Sequence, residues 1–138
     1  MEDRYLFKAK FDDSDRWVKG QLVEVNDTYL IIPNHASKIL AGWFSTSNVV
    51  EVKKDTICQC TGLKDKNGKL IWENDIVRDE QGNFYKAFWQ NNYYQFSWVC
   101  VKTDVFLIGT KWDLWSIKSF EIEVIGNKFD NPELLEVG

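Results

Sequence analysis

Apolar residues recur at every second position through much of this chain, and clusters of turn-forming residues interrupt the pattern at short intervals. Successive strand side chains point to opposite faces, so this pattern commits the chain to short antiparallel strands rather than helices. In the first run Tyr5, Phe7, Ala9 and Phe11 fall on one face, with Lys8 and Lys10 on the other. Farther on, Tyr94, Phe96, Trp98 and Cys100 share a face, and Phe120, Ile122 and Val124 alternate with Glu121 and Glu123. Asp12–Asp15, Asn26-Asp27, Asp79–Asn83 and Gln90–Asn92 break the runs, and Pro33 ends regular pairing of another. Val105–Ile108, Trp112–Ile117 and Phe120–Ile125 are expected as the last strands. The expected fold is therefore mainly β, a compact small barrel or sandwich of antiparallel hairpins with at most one or two short helices. One helix could run over Ala36–Ala41, capped by Asn34 and ended by Gly42; the other could begin at Asn131-Pro132-Glu133.

A chain of 138 residues is expected to form one domain, 1–138, with possible subparts at 1–57, 58–126 and a tail at 127–138. Seven Trp, nine Phe and five Tyr supply a large, stiff core. The net charge of −4 is concentrated at one end: Glu121, Glu123, Asp130, Glu133 and Glu136 face only Lys128 there, and the other 120 residues balance 16 acidic against 16 basic side chains. That balance argues against bulk nucleic-acid binding while leaving room for a local basic face. No apolar run spans a bilayer and no signal peptide opens the chain, so no membrane partner is expected. Three cysteines, an odd number, do not make a disulfide framework, and a reducing cytoplasm is the expected location.

The stretch 61–77 can be read almost residue by residue. Asn67-Gly68 suits a two-residue type I′ turn, which would pair Lys66 with Lys69, Asp65 with Leu70, Lys64 with Ile71 and Leu63 with Trp72. Leu63, Asp65, Leu70 and Trp72 would then share one face, and Lys64, Lys66, Lys69 and Ile71 the other. Lys64, Lys66 and Lys69 form the candidate binding site for an anionic partner; well-solvated edge lysines are the plainer reading. Asp75 is expected to fix the second turn through a backbone N–H, and Asn74 to hold a left-handed conformation there.

Thr61-Gly62-Leu63-Lys64-Asp65-Lys66-Asn67-Gly68-Lys69-Leu70-Ile71-Trp72-Glu73-Asn74-Asp75-Ile76-Val77 resembles the signature of the YopX family of phage and prophage proteins, T-G-L-K-D-K-N-G-K-E-I-Y-E-G-D-I-V. Arg4–Lys8 with Trp17-Val18-Lys19-Gly20 is similar to the family's opening pattern, and Glu123–Asn127 with Asn131–Leu135 to its close. Cys60 and Leu70 depart from it, standing where the family has an aromatic and Glu. The resemblance implies a phage or prophage origin and carries over no catalytic residue.

Other constellations are weak. His35, the only histidine, has no evident partner for acid–base or nucleophilic work. Cys58 and Cys60 are spaced too closely for a usual zinc pair, even with Cys100 and His35 to complete a set, and no metal or cofactor is expected. Glu51-Val52-Lys53, with Asp27 or Asp55, could serve a metal-dependent nuclease, but three-residue patterns of this kind are common. Trp112 and Trp115 lie among lysines, as a stacking platform would require, yet they point to opposite faces of a strand. The expectation is a non-enzymatic macromolecule-binding or self-assembling module, a homo-oligomer or a partner of a phage or host protein. A nucleic-acid-binding barrel using Lys64, Lys66 and Lys69 is the alternative, and a nuclease the weakest reading.

Overall fold

The computed structural model describes residues 5–33 and 49–135, the side chain of Trp115 excepted. These residues form eleven strands and four 3-10 turns of three or four residues, and no long helix. The mainly β expectation holds, but neither antiparallel sheet closes into a barrel among the described residues. The expected helix over Ala36–Ala41 lies outside the described residues. That at Asn131 is a 3-10 turn, Pro132–Leu135, with the Leu134 N–H on the Asn131 carbonyl.

The chain divides into two units, Met1–Cys60 and Thr61–Gly138. In the first, β1 (Phe7–Lys10), β2 (Trp17–Val25), β3 (Thr28–Pro33), β4 (Val50–Glu51) and the start of β5 (Cys58–Lys64) lie in the order β4-β3-β2-β1-β5. Its core gathers Ala9, Val18, Ile31 and Val52. The alternation of β1 holds for Ala9, but Lys8 and Lys10 are buried too; both ammonium groups lie over the Trp17 ring, at 4.6 and 5.4 Å. Their aliphatic stems pack while the charge meets the negative face of the indole.

Gly20 sits where two backbones meet. It is opposite Phe7 on one side and Pro33 on the other, and a Cβ there would overlap the Ile32 carbonyl oxygen and lie 2.7 Å from its carbon. The requirement is for space rather than for an unusual φ.

The second unit holds β6 (Leu70–Trp72), paired with the end of β5, and a five-stranded sheet in the order β10-β9-β8-β7-β11. Its members are β7 (Asp75–Arg78), β8 (Phe84–Gln90), β9 (Gln95–Lys102), β10 (Lys111–Asp113) and β11 (Glu123–Asn127). Trp98 and Cys100 are fully buried on the predicted face of β9, beside Ile71, Val77, Tyr85, Ala87 and Ile122. The Trp98 indole N–H reaches the Leu114 carbonyl at 3.2 Å, which satisfies the one polar atom of the largest core side chain.

Three expected strands differ. Val105–Ile108 is a loop, Trp112–Ile117 leaves strand geometry at Leu114 for a 3-10 turn, and Phe120 lies in another 3-10 turn, Ser119–Glu121. Because that turn ends the period of two, Ile122 is buried while Phe120 stays 66% exposed.

Candidate functional site

The hairpin between β5 and β6 is not the two-residue type I′ turn that Asn67-Gly68 suggests. The Asp65 N–H donates to the Lys69 carbonyl at 2.8 Å and the Gly68 N–H to the Asp65 carbonyl at 3.0 Å, so three residues, not two, form the loop. Only Gly68 has positive φ, at 80°. This is a type I turn closed by a glycine bulge, and it favours Asp at its first position because the carboxylate can accept from the turn's own backbone. Asp65 does so: Oδ1 accepts the N–H groups of Asn67 and Lys69, both at 2.9 Å, and Oδ2 accepts that of Val124 at 2.9 Å. Burial pushes this carboxyl up, but the Val124, Lys69 and Asn67 donors outweigh it and hold it below the usual carboxylate range.

The one-residue shift changes both faces. Ile71, expected beside the lysines, is fully buried next to Trp72, while Leu70 is half-buried. Lys64, Lys66 and Lys69 are all exposed, but Lys69 stands opposite Asp65 rather than Lys66, and the Lys66 N–H donates to the Ile122 carbonyl at 2.9 Å. The three lysines flank a turn anchored to β11; the directly opposed lysine pair does not exist.

The next hairpin repeats the device. In Asp79-Glu80-Gln81-Gly82-Asn83, Asp79 Oδ1 accepts the N–H groups of Gln81 and Asn83, and Gly82 has φ 85°. The shared pattern D-x-x-G-x was legible in the sequence. Asp79 Oδ2 accepts further bonds from Asn83 Nδ2 and the Tyr85 hydroxyl, each 2.9 Å. Burial pushes Asp79 up, yet the Asn83, Tyr85 and Gln81 donors hold it down as an anion. Tyr85 is pushed up, by burial first and then by the same carboxylate.

This network positions a loop. The Thr103 hydroxyl donates to Asn83 Oδ1 at 2.6 Å and accepts the N–H groups of Val105 and Phe106. At the far end the Gly109 N–H reaches the Cys100 carbonyl, and Thr110 bonds the Leu107 carbonyl through both its N–H and its hydroxyl. Phe106 packs edge-on to Trp112, and Trp112 to Tyr85. Held this way, the loop displays Val105 and Leu107, 74% and 82% exposed, with Ile108 and Phe106 about half so. Four consecutive exposed apolar side chains on a braced loop are a contact surface in waiting, since water opposes their display. Alternation suggested a strand here; the ST-turn of Thr103 is the signal that was missed.

On the same unit a shallow groove of about 330 Å³ is lined by Leu63, Leu114, Ile117, Phe120 and Lys118. A second cleft, about 270 Å³, shares Ile117 and Lys118 and carries Asp79, Glu80 and Glu121. A third exposed group, Trp89, Tyr93 and Tyr94, marks the β8–β9 turn, where Tyr94 has φ 52°.

The remaining sequence candidates fall as follows. Asp75 is 2% exposed and its Oδ2 accepts the Trp72 N–H at 2.8 Å, and Asn74 takes φ 72°, both as expected of a turn. Cys58, Cys60 and Cys100 are buried, and His35 lies outside the described residues. No group of three His, Cys, Asp or Glu placed to hold a metal ion occurs among the described residues. Lys53 of the Glu51-Val52-Lys53 pattern pairs with Asp15 at 3.6 Å, and Asp27 and Asp55 are exposed. Trp112 is half-buried against the core. No described helix is long and apolar enough to cross a membrane.

Comparison with known proteins gives a family match and likenesses to solved structures. The family described as YopX protein matches residues 6–136. The crystal structure of protein EF1440 from Enterococcus faecalis is similar over 94% of this chain and 96% of its own, with a TM-score of 0.55 and 24% identity, a likeness of fold. No curated protein matches the chain.

Proposed function

This chain belongs to the YopX protein family, and from its surface we propose that it is a non-enzymatic macromolecule-binding or self-assembling module of phage or prophage origin, acting in the bacterial cytoplasm. The observation that carries this reading is the braced loop Thr103–Thr110, which spends hydrogen bonds on both ends to hold Val105, Phe106, Leu107 and Ile108 toward solvent. Burying such side chains on a partner yields roughly 25 cal/mol for each Å² removed from water, which a monomer forgoes. The test is the size of the complexes the protein forms in bacterial extract. Wild type is expected to elute well above a monomer, and the double variant Val105→Asp/Leu107→Asp to lose those complexes while keeping its circular dichroism. A double variant that retains them contradicts the reading.

The exposure of Lys64, Lys66 and Lys69 supports a second reading, nucleic-acid binding by the β5–β6 turn. It requires salt-sensitive DNA or RNA affinity that falls when all three become Glu. On the first reading the triple reversal leaves the complexes in extract unchanged, and a loss of both affinity and complexes would reverse the order of the two.

A further inference from the structure

The second unit itself carries a surface whose chemistry matches the loop. The groove has an apolar floor of Leu63, Leu114 and Ile117, with Phe120 exposed at its edge. Through Ile117 and Lys118 it continues into the cleft that holds Asp79, Glu80 and Glu121, so three carboxylates face one ammonium. The loop is the converse: an apolar tip with exposed Lys102 and Lys111 at its two ends and only Asp104 between them. Apolar floor and apolar tip match, and the acidic rim opposes the basic flanks.

We propose, resting on the binding-module reading, that the occupant of this groove is a second copy of the chain, whose Val105–Ile108 loop seats on Leu63, Leu114, Ile117 and Phe120 with Lys102 and Lys111 toward Glu80 and Glu121. The charges set the register and speed the encounter, and the buried aliphatic groups supply most of the affinity. Asp79 is the fixed member of that rim, its carboxylate held in place by four hydrogen bonds.

Loop and groove are different surfaces, which permits a complementation test by sedimentation equilibrium of the full chain over a wide concentration range. Wild type is expected to associate as concentration rises, and more weakly as salt rises. Leu107→Asp on the loop and Phe120→Asp on the groove each replace an exposed side chain, so neither disturbs the buried core, and unchanged circular dichroism is expected of both. Each is expected to raise the dissociation constant about tenfold or more. Mixed in equal amounts, they keep one intact loop and one intact groove and are expected to form a one-to-one complex that neither forms alone. Wild type that remains monomeric throughout, variants that associate as wild type does, or a mixture with no complex would each overturn the proposal. A monomeric wild type whose extract complexes still vanish in Val105→Asp/Leu107→Asp overturns only the self-partner and leaves the binding module standing.

Discussion

Replacing Asp65 by Ala is expected to destabilise the second unit by about 3 kcal/mol, the loss of a charged acceptor from three backbone donors. Asp65 is 5% exposed and its carboxylate ties two segments together: the turn through Asn67 and Lys69, and β11 through Val124. Water can reach the exposed turn and compensate there in part. It reaches the half-buried Val124 less readily, so most of the cost falls on the tie to β11. In thermal unfolding of a unit this size this corresponds to a fall of roughly 15 °C in Tm. Asp65→Asn is expected to fall between the two, since its amide keeps one acceptor but turns a donor toward a donor. The pH dependence identifies the cause. Asp65 and Asp79 both have folded pKa values below the 3.8 of a free carboxyl. Their contribution is therefore fully present above that value and is lost as pH falls below it, through the folded values. The Tm gap between wild type and Asp65→Ala is expected to be constant from neutral pH to about pH 5 and to narrow below pH 4. A gap that stays unchanged into strong acid would assign the loss to packing instead.

Gly20→Ala is expected to be as damaging through steric overlap. The added methyl group meets the Ile32 main chain, which cannot rotate away as a side chain would. β2 and β3 must separate near the Gly20–Pro33 pair, breaking a ladder that runs from there to Val25–Thr28. Overpacking commonly costs 1–3 kcal/mol, and a clash between two backbones belongs at about 3 kcal/mol or above. Gly68→Ala is the informative control. Its Cβ would meet open space, so only the strain of φ +80° is felt, about 1 kcal/mol. Guanidinium unfolding of the two variants is expected to rank Gly20→Ala as the more damaging; the reverse order would mean that β2 and β3 can part cheaply.

These two positions show what the family signatures are for. Gly20 closes the opening W-V-x-G pattern because two strands approach too closely there for any side chain. Asp65 stands in the central signature because one carboxylate closes a turn and ties it to β11. Period-two alternation made most strands legible, and the buried Trp98 and Cys100 follow from it directly. The misread turn has a local cause: Asn67-Gly68 suits a type I′ turn, but Asp at the first position and Gly at the fourth also suit a type I turn with a bulge, and three bonds to Asp65 decide for the latter. The contact loop was hidden for a different reason. Val105–Ile108 has strand composition, and only the side-chain bonds of Thr103, one of them to Asn83 twenty residues away, turn it into a display loop. Alternation along the chain carries no record of such distant anchors.

On the function proposed, this protein works through the Val105–Ile108 loop, and the signature hairpin turn serves the fold. Photocrosslinking tests it most directly, with a photoreactive residue placed at Leu107 in one preparation and at Lys66 in another, both exposed positions. Crosslinks are expected from position 107 into a second protein chain and none above background from position 66. Crosslinks from position 66 alone, into protein or nucleic acid, would contradict this and move the function to the lysine-bearing turn.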